Sequence, residues 1–437
     1  MQHPPDFPYE VSQILATGTF GTVCVAKQRT SGRTVALKVL KQEHLSNPKV
    51  ARRMRDEALM LSQLRHPNIV HVTALHELDG RPVIEMEWVE GADVQETLFQ
   101  LEQGLSTSDA VMIVSSIALA LHAAFTRPLG ESATSLRMIH RDVKPSNIML
   151  SFDGCPKLTD FGTARGRFDG RESETVSMVL GARPYLAPER LDGADDGPPG
   201  DVYALGQVFR ELLGGAAMAI SLHPYHHKQM LDEAVTALPL GDISKDGKTA
   251  LRRLLSRMCS YVPEERPSCA QVVSRLRQLA ARERFNAELG EQTLAAVRAA
   301  ADLRSSVLLD EHPAVGEIAF LCPERAQRFE PAINQKIRTF LAQPNWLSER
   351  AHLETLLEHD AHWTAAPVLE ALGASSGGMW RRMFGGEPEA EHVLAILSIL
   401  EQRTSENVLV RVSSLLSHKN ERIRAASKAF LDKHSGH

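Results

Sequence analysis

Between His140 and Asn147 the chain reads His-Arg-Asp-Val-Lys-Pro-Ser-Asn, and Asp160-Phe161-Gly162 follows. Asp142 is a carboxylate that can accept a hydrogen bond from a hydroxyl and take its proton, a general base when held within reach. Lys144 would set a positive charge beside it. Asn147 and Asp160 offer hard oxygen ligands, which Mg²⁺ prefers to sulfur or imidazole. A base, a cation and a pair of hard ligands suit movement of a charged phosphoryl group, where a protein supplies positioning and charge neutralisation and little covalent work. The structural alternative is a buried turn in which Asp142 caps a neighbouring backbone.

These residues need a scaffold, and the flanking patterns describe one. Residues 9–40 alternate apolar and polar around glycine-containing turns, which predicts successive strands. From Pro48 to Leu64 the apolar positions recur at helical spacing, and His66-Pro67 ends the run. Strands are expected over 70–78 and 82–87, and a long helix over 107–125.

Placed in this order, the two motifs resemble the catalytic loop and metal-binding turn of the protein kinase family. Ala16-Thr17-Gly18-Thr19-Phe20-Gly21-Thr22-Val23 resembles that family's phosphate-covering loop, with Ala16 in place of the first glycine. Gly18 and Gly21 would let backbone amides approach phosphates. A left-handed Ala16 would cost about 1–2 kcal/mol. Val35-Ala36-Leu37-Lys38 resembles the strand whose lysine holds the nucleotide phosphates, and Val23 and Ala36 would wall the adenine. Glu57 falls where the family's pairing glutamate sits, and an ion pair would steady the flexible stem of Lys38. Glu85-Met86-Glu87-Trp88-Val89-Glu90-Gly91 resembles the hinge. The resemblance implies Met86 at the back of the ATP pocket and adenine on backbone groups of Glu87 and Val89.

Asp160 would open an activation segment that closes at Ala187-Pro188-Glu189, with Ser173, Thr175 and Ser177 inside it. Phosphate on one of them could pair with Arg141 and order the segment. An ordinary polar loop is the alternative. Gly181-Ala182 stands where the family usually shows Gly-Thr, which leaves efficiency and acceptor choice open, although Lys144 favours Ser/Thr over Tyr. Asp201 resembles the residue that anchors the catalytic loop from beneath, and Arg266 the arginine that pairs with Glu189. The polar insert 127–135 is similar to extensions in some bacterial eukaryotic-like Ser/Thr kinases. The adjacent His226-His227 lacks a third metal ligand at suitable spacing and reads as an exposed polar loop.

The 437 residues predict two to three domains. With 49 basic and 54 acidic residues the net charge is −5, which argues against a general nucleic-acid binder. Cysteines at 24, 155, 259, 269 and 322 form no Cys-x-x-Cys pair and point to a reducing compartment. The start, Met-Gln-His-Pro-Pro-Asp, has neither the basic opening nor the apolar run of a secretory signal. The most apolar stretch, 111–125, is shorter than the roughly 20 residues that cross a bilayer and reads as a buried helix. A cytoplasmic location without a transmembrane segment is expected, with peripheral membrane attachment through a partner left open.

Beyond residue 280 the resemblance stops, and apolar residues recur at helical spacing over 286–309, 313–321, 329–342, 347–358, 365–372, 390–401, 405–417 and 420–433. A polar turn leading into Ile423-Arg424-Ala425-Ala426 and closing on Phe430-Leu431 resembles a HEAT repeat. An irregular helical bundle is the alternative. The glycine-rich stretch 373–387 carries Met379, Trp380, Met383 and Phe384, residues suited either to a partner or to the protein's own core.

The expectation is an α+β, two-lobed protein-kinase fold followed by an all-α, HEAT-like domain. Its parts are a tail at 1–8, a kinase domain at 9–282, a helical linker at 283–312 and a helical domain at 313–437. The resemblance is to bacterial eukaryotic-like (Hanks-type) Ser/Thr kinases. It implies transfer of the ATP γ-phosphate to a protein, with Mg²⁺, or Mn²⁺ in its place, on Asn147 and Asp160. It also implies Asp142 as base and Lys144 as a catalytic cation. The helical domain would regulate or dock a protein partner, and no nucleic acid is expected. The competing class is a pseudokinase scaffold that binds nucleotide weakly.

Overall fold

The structure is a computed structural model that describes residues 8–18, 21–41, 44, 48–78, 81–101, 103–128, 137–161, 183–191, 197–215, 218, 221, 223–241, 243–305, 309, 314, 318, 321, 393–397, 412–417 and 420–434. It divides into two compact units, one formed by Met1–Arg33, Val39–Pro48 and Val307–His437, the other by Thr34–Lys38 and Lys49–Ser306. Four segments read from sequence lie outside the described residues: most of the insert at 127–135, the activation segment from Gly162 to Ala182, the glycine-rich stretch at 373–387, and most of the helices expected after 305.

In the first unit, β1 (Tyr9–Thr17) pairs antiparallel with β2 (Gly21–Gln28), with register shifts between Val11 and Gln13 and between Ile14 and Ala16. Tyr9, Val11 and Ile14 are buried. The amide of Gly18 donates to the carbonyl of Gly21 at 2.9 Å and closes the turn. Ala16 is an extended strand residue opposite Val23, so the left-handed cost expected for it does not arise. Near the chain's end, Ile423, Ser427 and Phe430 are buried at helical spacing on a helix over Glu421–His434, which packs on a tight turn at Ser414–Ser417.

The second unit carries the start of β3 (Thr34–Leu40), β4 (Val72–Leu78) and β5 (Arg81–Glu87), in the order β3-β5-β4. Helix α1 (Pro48–Ser62) lies between β3 and β4 in the chain. A smaller sheet of β6 (Gly91–Asp93), β7 (Ile148–Ser151) and β8 (Pro156–Leu158) is antiparallel throughout, in sequence order. Gly91 is required there: a Cβ would meet the Leu150 carbonyl oxygen at 1.9 Å.

Further helices of this unit are α2 (Val94–Phe99), α3 (Thr107–Thr126), α4 (Pro188–Leu191), α5 (Pro198–Leu212), α6 (Pro224–Thr236), α7 (Lys245–Met258), α8 (Cys269–Glu283) and α9 (Glu291–Ser305), of which α2, α3 and α9 pack on the small sheet. Among the described residues α3 is the one helix long and apolar enough to cross a membrane. Its Ile113, Val114, Ile117 and Leu121 are buried, and it packs on α5 and α8. Helix α5 is buried on nearly every side, as suits a central core helix. Gly206 allows its close approach to the end of α7, where a Cβ would meet Cys259 Sγ at 2.6 Å.

The His226-His227 pair is not in a loop but inside α6. The polar composition concealed an amphipathic turn. His226 faces solvent, whereas His227 is buried, its Nε2 bonded to the Cys259 carbonyl at 2.9 Å, and burial holds its pKa below the ordinary imidazole range.

Arg266 ties the base of this unit together. Its guanidinium grips the Glu189 carboxylate through two bonds of 2.6 and 2.8 Å, spends its remaining donors on the carbonyls of Ser260, Tyr261 and Pro199, and lies over the Tyr203 ring. Removing one partner of a buried pair strands the other, so Arg266→Ala is expected to lower stability by about 3–5 kcal/mol. A denaturation midpoint followed by far-UV circular dichroism measures it.

Candidate functional site

The loop at residues 140–147 is held from below by one carboxylate. Asp201, in the first turn of α5, accepts the backbone N–H groups of His140 and Arg141, both at 2.7 Å. Burial lifts its pKa, while His140 and the two amides pull it back. Arg141 adopts φ 68°, a left-handed conformation that costs an L-residue energy and persists only where surrounding bonds impose it. The guanidinium of Arg190 bonds the Arg141 carbonyl.

His140 links this loop to the turn that carries Asp160. Its ring is fully buried, 4.5 Å from the Phe161 ring. With the proton on Nε2 it donates to the Thr159 carbonyl at 2.8 Å, and Nδ1 accepts the Asp142 N–H at 3.2 Å. The Thr159 amide in turn donates to the Asn147 carbonyl at 3.0 Å. The residues flanking Asp160 and Asp142 are thereby locked to each other.

Asp142 Oδ2 accepts from Lys144 Nζ at 2.7 Å and from Asn147 Nδ2 at 3.0 Å. Asn147 Nδ2 also donates to the Asp142 carbonyl at 2.8 Å, which leaves Oδ1 as the Asn147 atom able to meet a cation. Lys38, on β3, donates from Nζ to Asp160 Oδ1 at 2.7 Å, and Oδ2 remains for a metal. Asp160 also has positive φ, 59°. Burial alone would raise its pKa; the Lys38 ammonium, with help from His140 and Lys144, outweighs that and holds the carboxyl below the usual range. An amide oxygen and an ionised carboxylate fit Mg²⁺, which takes one or two protein oxygens and completes its shell with phosphate and water.

A protein kinase domain profile matches residues 9–276. The chain belongs to the protein kinase domain family. It is similar to a probable serine/threonine-protein kinase of Clostridium perfringens, 30% identical over 270 residues, covering 61% of this chain and 37% of that protein. It is also similar to the serine/threonine-protein kinase PknA of Mycobacterium tuberculosis, 35% identical over 212 residues, covering 47% of each chain. The crystal structure of the Mycobacterium tuberculosis PknI kinase domain matches at 27% identity with a TM-score of 0.46, over 63% of this chain and 96% of that one. The chain thus spans less than half the length of the curated relatives it matches.

Within this kinase domain, Lys38, Asp142, Lys144, Asn147 and Asp160 converge on one site of the second unit. Ala36, Met86 and Val89 are buried apolar residues of the same unit. Gly18 follows β1, and Gly21 and Val23 lie at the start of β2, in the first unit. Glu57 lies on α1, with its side chain outside the described residues, and Ser173, Thr175 and Ser177 also fall outside them.

The structure adds four contributions to the residues singled out from the sequence. His140 acts as a bridge through both ring nitrogens. Lys157, on β8, donates to both carboxylate oxygens of Glu87 at 2.9 and 3.1 Å. His71 also donates its backbone N–H to Glu87, so that side chain is itself clamped. Arg304 reaches β6 from α9. Only proximity in the fold brings Lys157 and Arg304 into view, because no local spacing links them to Glu87 and Gly91.

The Lys38–Asp160 pair sets a pH dependence. A carboxyl whose folded pKa is depressed contributes stability that is full above its unfolded value of about 3.9 and is lost as pH falls through the folded value. Lys38→Met removes the main depressing charge, so the Asp160 titration should move up and acid unfolding should begin at higher pH than in the wild type. Thermal melting between pH 3 and 7 checks the direction.

Proposed function

We propose that the chain is an active protein serine/threonine kinase, transferring the γ-phosphate of ATP to Ser or Thr hydroxyls. The observation that carries this reading is the Asp142 carboxylate held by Lys144 and Asn147, in hydrogen-bonded continuity with the Lys38–Asp160 pair. With Oδ2 occupied, Asp142 Oδ1 is the oxygen placed to take a proton. The acceptor hydroxyl gives its proton to Asp142 as its oxygen bonds to the γ-phosphorus, and the bond from that phosphorus to the bridging oxygen breaks to release ADP. Lys144 offsets charge on the moving group, and Lys38 serves the phosphates while orienting Asp160. Asn147 Oδ1 and Asp160 Oδ2 would hold Mg²⁺, with Mn²⁺ as a substitute, and the ion supplies further neutralisation of phosphate charge. Gly18, Gly21, Val23, Ala36, Met86, Glu87 and Val89 are proposed to bind the nucleotide, with Glu57 as the partner of Lys38.

The C-terminal residues are proposed as a HEAT-like unit in a cytoplasmic protein, regulating the kinase or docking a protein partner. The buried stripe of Ile423, Ser427 and Phe430 supports a packed helix there. Autophosphorylation at Ser173, Thr175 or Ser177 is part of the same proposal.

The test is transfer of labelled γ-phosphate from Mg·ATP to the protein itself and to a generic basic protein. Asp142→Asn should lower the rate by about 10²–10⁴ while nucleotide still binds. Equal labelling of wild type and variant would end the base assignment, and no labelling in either would favour the pseudokinase scaffold. Peptide mapping of the labelled wild type should place phosphate between residues 171 and 178; an unmodified segment in active enzyme would remove the autophosphorylation claim.

A further inference from the structure

Helix α9 follows the residues matched by the kinase profile, yet it is fastened to the unit that holds the site. At its start, Asp109 of α3, 4% exposed, accepts the Gly290 amide at 3.0 Å and the Thr293 hydroxyl at 2.6 Å. Along its length Ala296, Val297, Ala300 and Ala301 are buried, and the helix packs on α2 and β6. At its end, Arg304 donates from Nη1 to Glu96 Oε2 at 3.1 Å and from Nη2 to the Gly91 carbonyl at 2.5 Å.

Those two acceptors sit at strategic points. Gly91 is the first residue of β6, two residues beyond Val89, and β6 is laddered to β7, which begins immediately after Asn147. Glu96 completes the capping box of α2 with Asp93, and α2 packs on the Pro145–Asn147 turn. Asp93 is pushed up to about 7 by burial, opposed by the hydrogen bond from the Glu96 amide and by Arg304, while the Glu96 carboxylate adds to the rise. One guanidinium therefore bonds both the segment leaving the hinge and the helix that supports the metal-ligand turn. Its side chain is 13% exposed, so solvent screens it little.

We propose that Arg304 is a positioning residue for the nucleotide: α9, through Arg304, fixes β6 and α2 and thereby sets the affinity of the site for ATP. This rests on the kinase reading above and deepens it. Arg304 touches neither the base nor the metal ligands in any described bond, so its loss should fall on nucleotide binding and spare phosphoryl transfer.

The experiment uses the full chain, with a fluorescent ATP analogue for binding and labelled γ-phosphate for transfer. Arg304→Ala is expected to raise the Kd of the analogue and the KM for ATP about ten-fold, the factor that about 1.4 kcal/mol produces, with kcat within about two-fold. Arg304→Lys, which keeps the charge but not the fork that spans both acceptors, should recover only part of the loss. Glu96→Gln, on a side chain one-third exposed, should weaken binding by a smaller factor and keeps the inference testable should Arg304→Ala not fold. Unchanged affinity in all three variants would overturn the inference. So would a fall in kcat matching the rise in KM, since that marks general destabilisation. Wild type that binds the analogue but transfers nothing would overturn the kinase reading while affinity still decides the role of Arg304; wild type that does not bind would overturn both.

Discussion

A carboxylate sealed among helices holds the loop that carries the chemistry. Asp201 offers two oxygens to two consecutive amides, and with those donors satisfied the chain can turn through the left-handed conformation at Arg141. Burying an ionisable group is costly unless its hydrogen bonds are made, and here the carboxylate spends its acceptors on backbone that has no ladder of its own. Everything above follows from that anchorage. His140 is fixed against Phe161, its ring reaches both Asp142 and Thr159, and the amide of Thr159 closes back on Asn147.

The result is a hydrogen-bonded chain from α5 to β3 in which every catalytic candidate has its orientation set before any ligand arrives. Asp142 cannot swing away without breaking bonds to Lys144 and Asn147. Asp160 cannot turn without losing Lys38. Preorganisation of this kind suits phosphoryl transfer, whose demands are placement and charge. The segment from Glu87 to Gly91 is built on the same principle. Glu87 is clamped by Lys157 and the His71 amide, and Gly91 by the β7 ladder and Arg304, so the backbone that runs between them is restrained at both ends.

Burial divides the histidines in the same way. His227 and His140 both end as buried rings bonded through Nε2 to a backbone carbonyl, yet only His140 lies in a motif whose chemistry could be read beforehand. Arg266 shows the opposite case, an arginine whose pairing with Glu189 is implied by resemblance and whose geometry adds three carbonyl bonds and a ring contact that resemblance does not mention.

What the sequence by itself determined is the chemistry and the order of the elements. Asp142, Lys144, Asn147 and Asp160 are legible because a base, a cation and hard metal ligands are properties of side-chain type, and the turn that groups them spans few residues. Strands and helices over 9–87 and 107–126 are legible because apolar periodicity is local, whereas β6 and α2 between them go unread; the helix expected to reach Leu64 ends at Ser62, and the strand expected from 70 begins at Val72. The tertiary structure alone decided the rest. Ala16 escapes a left-handed conformation because its register opposite Val23 makes it an ordinary strand residue. Lys157 meets Glu87 across 70 residues and Arg304 meets Gly91 across 213, and no periodicity or spacing encodes a contact over such separations. Such pairs exist because packing α9 on α2 and β8 beside β7 brings them within bonding distance, and that distance is a property of the folded chain.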